Sequence, residues 1–101
     1  MWILVMFDLP VDTKKARKDY ADFRKNLVQD GFTMLQYSVY ARHCASEENA
    51  HVHCKRVCSF LPPEGEVRII HVTEKQFEKM QIFFGKRRKP TPPPPAQLEL
   101  F

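Results

Sequence analysis

Trp2-Ile3-Leu4-Val5-Met6-Phe7-Asp8-Leu9-Pro10 is the stretch that decides the fold. Six apolar residues in a row, ended by one carboxylate and then a proline, read as a strand buried on both faces, because a half-exposed strand would alternate polar and apolar positions. Pro10 has no amide donor for a ladder, so the sheet stops there. Asp8 therefore stands where a central strand leaves the core, a position from which a lone carboxylate can hold a divalent metal. The competing reading is that Asp8 only caps the following turn through local amides.

Outward from this strand, Asp12 or Thr13 can cap a helix in which Ala16, Tyr20, Phe23 and Leu27 form one apolar face, closed by Gly31. Residues 32–42 are aromatic and branched without a helical period, too long for one strand, and are predicted to break near Gln36 into a hairpin-like pair. Ser46 opens a second helix, with Glu47 and Glu48 in its first turn and a buried face of Ala50, Cys54, Val57, Cys58 and Leu61, ended by Pro62-Pro63. In the fourth strand, Glu66 to Val72, Val67 and Ile69 share one face and Arg68, Ile70 and Val72 the other. Thr73-x-x-Gln76 is a capping box for one helical turn through Glu78, and Met80 to Phe84 is a short fifth strand with no obvious partner.

The order β-α-β-β-α-β plus an extra strand predicts an α+β, ferredoxin-like sandwich over residues 1–84, one antiparallel sheet with both helices on one face. The spare strand and the sheet face the helices cannot cover predict a homodimer in which edges are exchanged or paired. Residues 85–96 read as a basic and proline-rich linker, Lys86 to Lys89 followed by a polyproline spacer, and residues 97–101 as a docking peptide.

The chain has 101 residues, enough for one modest core, with sixteen Lys and Arg against twelve Asp and Glu. The net charge of +4 permits a polyanionic partner without demanding one. No stretch is long and apolar enough for a membrane span, and Asp8 and Pro10 spoil a signal-peptide reading, so a cytoplasmic protein without membrane contact is expected. Three cysteines in unpatterned spacing make no disulfide framework. His43-Cys44 and the His51, His53, Cys54, Cys58 group hold zinc-type donors. They lack a two-residue Cys-x-x-Cys knuckle, and the cysteines are read as core, with His51 and His53 pointing elsewhere.

Along the first helix, Lys14, Lys18 and Lys25 fall in a stripe opposite the apolar face, flanked by Arg17 and Arg24, and Arg42 extends it. Segregated charge of this kind fits phosphates without reading bases, and favours a duplex backbone over a single strand. The alternative is an ordinary solvated helix face. Tyr37 and Tyr40 could stack on bases or belong to the sheet core.

Phe7-Asp8-Leu9-Pro10, the helix with Tyr20, Phe23, Arg24 and Leu27, then Gly31-Phe32 and Gln36-Tyr-Ser-Val-Tyr40 together resemble the small CRISPR-associated adaptation proteins of the "Cas two" family, over roughly residues 1–84. The likeness is greatest to those of single-effector, Cas-nine-type systems. It implies a homodimer that bridges two dimers of the CRISPR integrase "Cas one", in a 2:4 complex on duplex DNA, during acquisition of new spacers. For some members it also implies a Mg-dependent endonuclease with the strand-one aspartate as catalytic and metal residue, here Asp8 shared across the dimer. One carboxylate is a poor Mg site, and two about a dimer axis a better one. A stand-alone, toxin-like metal-dependent endoribonuclease is the alternative.

Gln97-Leu98-Glu99-Leu100-Phe101 is similar to the peptide by which bacterial proteins bind the DNA-polymerase sliding clamp, with Leu98, Leu100 and Phe101 for apolar pockets and Gln97 for an orienting hydrogen bond. Packing of the same residues on the integrase, or a frayed end, are the other readings.

Overall fold

Alternation of side chains across the first strand sets the two-sided plan of the molecule. In a computed structural model that describes residues 1–90, the elements are β1 (Trp2–Asp8), α1 (Lys14–Gln29), β2 (Thr33–Gln36), β3 (Val39–His43), α2 (Glu47–Ser59), β4 (Glu66–Val72), α3 (Glu74–Glu78), β5 (Ile82–Phe84) and β6 (Arg87–Lys89). Four strands form an antiparallel sheet in the order β2-β3-β1-β4, the ferredoxin-like arrangement expected. The docking peptide, including Gln97, Leu98, Leu100 and Phe101, lies outside the described residues, as does the proline spacer beyond Pro90.

β1 is central, paired from Trp2↔His43 to Met6↔Val39 on one side and from Trp2↔Val72 to Asp8↔Glu66 on the other. Ile3, Val5 and Phe7 point toward α1 and α2 and pack with Phe23, Leu27, Tyr40, Ala50 and Val57. Thr13 caps α1, its side chain accepting from the Ala16 amide at 3.0 Å. Val67 and Ile69 of β4 join this core, as their parity predicts.

On the opposite face, Phe77 of α3 stacks on Trp2 with ring centroids 3.9 Å apart, and Ala41, Val72 and Met80 surround them. A stacked aromatic pair is worth about 0.5–1.5 kcal/mol beyond its buried area. The capping box of Thr73 and Gln76 that starts α3 is present in full. α3 has only five residues, about 7.5 Å of helix, against a seven-residue strand of about 23 Å. Burial of β1 on both faces therefore holds at Trp2 and fails toward its end: Leu4 and Met6 are half-buried and Asp8 is exposed.

Three further expectations are corrected. On α2 the buried residues are Ala50, His53 and Val57, whereas Cys54 is half-buried and Cys58 and Leu61 are exposed. The stripe at i, i+3 and i+7 wins because the polar His53 finds a partner in Asp30, the C-cap of α1, described below. Of the cysteines only Cys44 is core. Finally, β5 does have a partner: it forms a hairpin with β6, Ile82↔Lys89 to Phe84↔Arg87, around Gly85 at φ 56°. The basic run expected to be linker thus contributes a strand.

The break near Gln36 is a two-residue connection, Tyr37-Ser38, with the register shifting between Met34 and Gln36. Ser38 adopts φ 63°, and no other non-glycine residue described has a positive φ.

Candidate functional site

Three segments meet at the end of β1. Asp8 is the last residue of the strand, on the sheet face the helices leave open, and its carboxylate has no hydrogen bond or ion pair among the described residues. It does not cap a helix, that role belonging to Thr13. The α2–β4 loop presses against it: a Cβ on Gly65 would lie 2.6 Å from Leu9 Cδ2 and 2.8 Å from the Asp8 carbonyl oxygen. The β2–β3 turn closes on the other side, where the Phe7 amide donates to the Ser38 carbonyl at 3.0 Å.

Directly across the ladder from Asp8 stands Glu66, so a second acid does lie near it. Opposed residues in antiparallel strands have Cβ atoms about 4.5–5.5 Å apart. Arg68 donates from Nε to Glu66 Oε1 at 2.5 Å and offsets part of that charge. No cluster of three His, Cys, Asp or Glu able to hold a metal exists among the described residues. Asp8 and Glu66 thus offer Mg two carboxylates at most within one chain. The ion commonly takes one or two carboxylates with water and phosphate, so the residues fit a weak, phosphate-assisted site.

The sequence expectations for Tyr37 and Tyr40 separate. Tyr40 is buried core, whereas Tyr37 is 77% exposed. Its ring stacks on Tyr20 with centroids 6.1 Å apart, and the Tyr20 hydroxyl lies 3.0 Å from Ser38 Oγ. The Tyr20 hydroxyl pushes the Tyr37 phenol above its ordinary range while the Arg24 charge acts in the opposite sense.

Of the cations named from the sequence, Lys14, Arg17, Lys18, Arg24 and Lys25 are all exposed on α1. Lys18 pairs with Asp22 at 2.9 Å, which raises its pKa, and Arg17 Nη1 donates to the Val11 carbonyl at 3.1 Å. Lys14, Arg24 and Lys25 form no ion pair among the described residues. Arg42 does not join them. It is half-buried, donating from Nε to the Asp30 carbonyl at 2.8 Å and from Nη1 to the His43 carbonyl at 2.7 Å, so it ties β3 to the end of α1.

Asp30 itself is a hub that sequence reading missed. Its Oδ2 lies 2.8 Å from His53 Nδ1 and its Oδ1 accepts from Arg56 at 3.0 Å. His53 is therefore not a surface histidine but the buried partner of Asp30, joining α2 to α1. Burial raises the Cys44 and Cys54 thiols, the latter with help from Cys58, so both stay protonated near neutral pH.

A family model described as CRISPR associated protein Cas2 matches residues 1–80, nearly the whole folded part. The chain belongs to the Cas2 family. Among its relatives, a protein of Parvibaculum lavamentivorans is 58% identical over 101 residues, covering all of both chains. One from Flavobacterium psychrophilum is 52% identical over 101 residues, all of this chain and 88% of that protein. One from Ligilactobacillus salivarius is 47% identical over 89 residues, 88% of each. Each of the three is named a CRISPR-associated endoribonuclease Cas2. The matched region of this Cas2 chain contains Asp8, Glu66, the α1 cations and the Tyr37 turn. No helix among the described residues is long and apolar enough to cross a membrane.

Proposed function

We propose that this Cas2-family chain is the adaptor subunit of CRISPR spacer acquisition: a homodimer that bridges integrase dimers and contacts protospacer DNA. The observation that carries the reading is the open sheet face, where half-buried Leu4 and Met6 and exposed Ile70 lead to Asp8. A second copy on that face would bury these apolar residues at about 25 cal/mol per Å² and bring two Asp8 carboxylates toward one axis. The β5–β6 hairpin, with Phe83 and Phe84 exposed, supplies the strand expected to exchange or pair between copies.

Lys14, Arg17, Lys18, Arg24 and Lys25 would meet the phosphate backbone. Asp8, with its dimer mate, would hold Mg, an ion that when bound polarises a phosphate and makes water more acidic. Asp8 would hold and orient the ion, and Glu66 across the ladder, paired with Arg68, would stand beside it as a second carboxylate. The cytoplasm and a single-effector system are the proposed setting, and the terminal Gln97, Leu98, Leu100 and Phe101 the proposed docking peptide for the integrase or the sliding clamp.

The test is size exclusion with light scattering on this protein mixed with the integrase encoded beside it, with and without duplex DNA. A complex of two copies with four integrase chains, tightened by duplex, is expected. A dimer that ignores integrase would move the weight to the second reading, a stand-alone metal-dependent endoribonuclease, which the printed names of the relatives favour. Cleavage of RNA by wild type but not by Asp8→Ala would then decide it.

A further inference from the structure

Among the described residues Tyr37 is the most exposed of the large apolar side chains, yet its ring is held. It stacks on Tyr20, whose ring in turn packs edge-on against Phe7 at 5.8 Å, and whose hydroxyl meets Ser38, the one strained non-glycine residue of the turn. A left-handed backbone outside glycine costs about 1–3 kcal/mol and persists where surrounding structure enforces it, commonly at functional sites. The result is a rigid aromatic face turned to solvent beside the end of β1.

Next to it, Tyr20, Ala21, Arg24, Lys25, Val28 and Gln29 surround a shallow, open hollow on the outer face of α1. No acid lines it, and its two cations have no ion-pair partner among the described residues. An aromatic ring, the exposed apolar Val28 and two positive charges complement a base, a ribose and a phosphate.

We infer that Tyr37, Tyr20, Arg24 and Lys25 form a stacking site for an unpaired nucleotide of a single-stranded nucleic acid. In a duplex both faces of each internal base are covered, so an exposed ring can stack only on an unpaired or terminal base. The inference deepens the nucleic-acid reading above and rests on it. It differs in substrate: a phosphate-binding helix face alone suits a duplex, whereas the Tyr37 platform selects a single strand.

The experiment uses the full chain with a single-stranded oligonucleotide carrying 2-aminopurine, as RNA and as DNA, and with a duplex of the same sequence. Binding to wild type is expected to quench the probe. Tyr37→Ala should weaken single-strand binding about tenfold, within the about 1–3 kcal/mol seen per stacked base, and abolish the quench. Tyr37→Phe should keep both, and neither variant should change duplex binding. The RNA and DNA arms identify which strand is preferred. Tyr37→Ala with unaltered single-strand affinity and quench would overturn the inference while leaving the phosphate-binding face intact. Loss of binding to single strand and duplex alike in wild type would overturn both. A Tyr37→Ala variant that elutes as a smaller species than wild type would also overturn it, by assigning the ring to a contact between copies.

Discussion

Asp8 and Glu66 face each other across the β1–β4 ladder, both exposed at the rim of the sheet face that the helices leave open. Like charges directly opposite in a sheet are mildly destabilising, and only Glu66 has a cation, Arg68, to offset it. The carboxylate without an internal partner is the one free to act on a ligand.

Replacing Asp8 should therefore cost chemistry and not folding. Asp8→Asn is expected to leave the unfolding free energy from urea titration within about 0.5 kcal/mol of wild type or slightly above it, as at surface positions without partners. Any Mg-dependent hydrolysis should vanish in this variant, and in wild type on adding a chelator. Hydrolysis that survives both would belong to a contaminant.

Gly65 holds φ 96° with Asp8 and Leu9 backbone atoms where a Cβ would go. Gly65→Ala combines a left-handed alanine with a backbone clash, and about 2 kcal/mol of lost stability is expected by denaturant titration. A loss under about 0.5 kcal/mol would mean the loop yields freely and does not brace Asp8.

The Asp30 carboxylate and its partner His53 are both nearly buried, with side chains 10% and 5% exposed. Asp30→Ala strips His53 and Arg56 of their acceptor, and leaving the buried His53 ring nitrogen without its hydrogen-bond partner costs about 1–3 kcal/mol. Unfolding in urea should show a loss in that range. Arg56→Ala, on the exposed side of the hub, should cost far less.

If the α1 face binds phosphates, Lys14→Glu with Lys25→Glu should weaken duplex binding and flatten its dependence on salt by about 2 units of log–log slope, near 0.9 per phosphate contact. Fluorescence anisotropy across a salt series measures this. An unchanged slope would remove α1 from the footprint.

Glu74 has its carboxyl held below the usual carboxylate range, first by the Met1 ammonium and then by His43. A lowered folded pKa stabilises the protein above the unfolded value, and that contribution disappears as pH falls through the folded one. The stability difference between wild type and Glu74→Gln should be present at neutral pH and shrink in acid below the ordinary carboxylate range. A difference independent of pH would place the effect in the packing of α3.

Patterns set by neighbours along the chain were legible in advance. The apolar run of β1, the Ala16, Tyr20, Phe23 and Leu27 period of α1, the Ser46 cap and the Thr73 capping box all express local sterics, side-chain spacing and amide satisfaction. The phase of α2 was not legible in the same way. Cys54 and Cys58 look more apolar than His53, but His53 is buried because the carboxylate of Asp30, the C-cap of α1, lies within hydrogen-bond distance of its ring. The strand β6 was obscured because its residues are Arg87, Arg88 and Lys89, whose composition reads as solvated linker.

By itself the sequence determined the order of elements through β5, the α+β class and the single carboxylate at the mouth of the first strand, since these depend on periodicity and punctuation within a few residues. Tertiary structure alone decided which charged groups remain free. Arg42 is taken up by the Asp30 carbonyl, His53 by the Asp30 carboxylate, and Glu66 comes to face Asp8, while Tyr37, Arg24 and Lys25 stay open to solvent. Hydrogen-bond partners far apart in the chain compete with ligands for the same polar atoms, and only folding settles which of them are already satisfied.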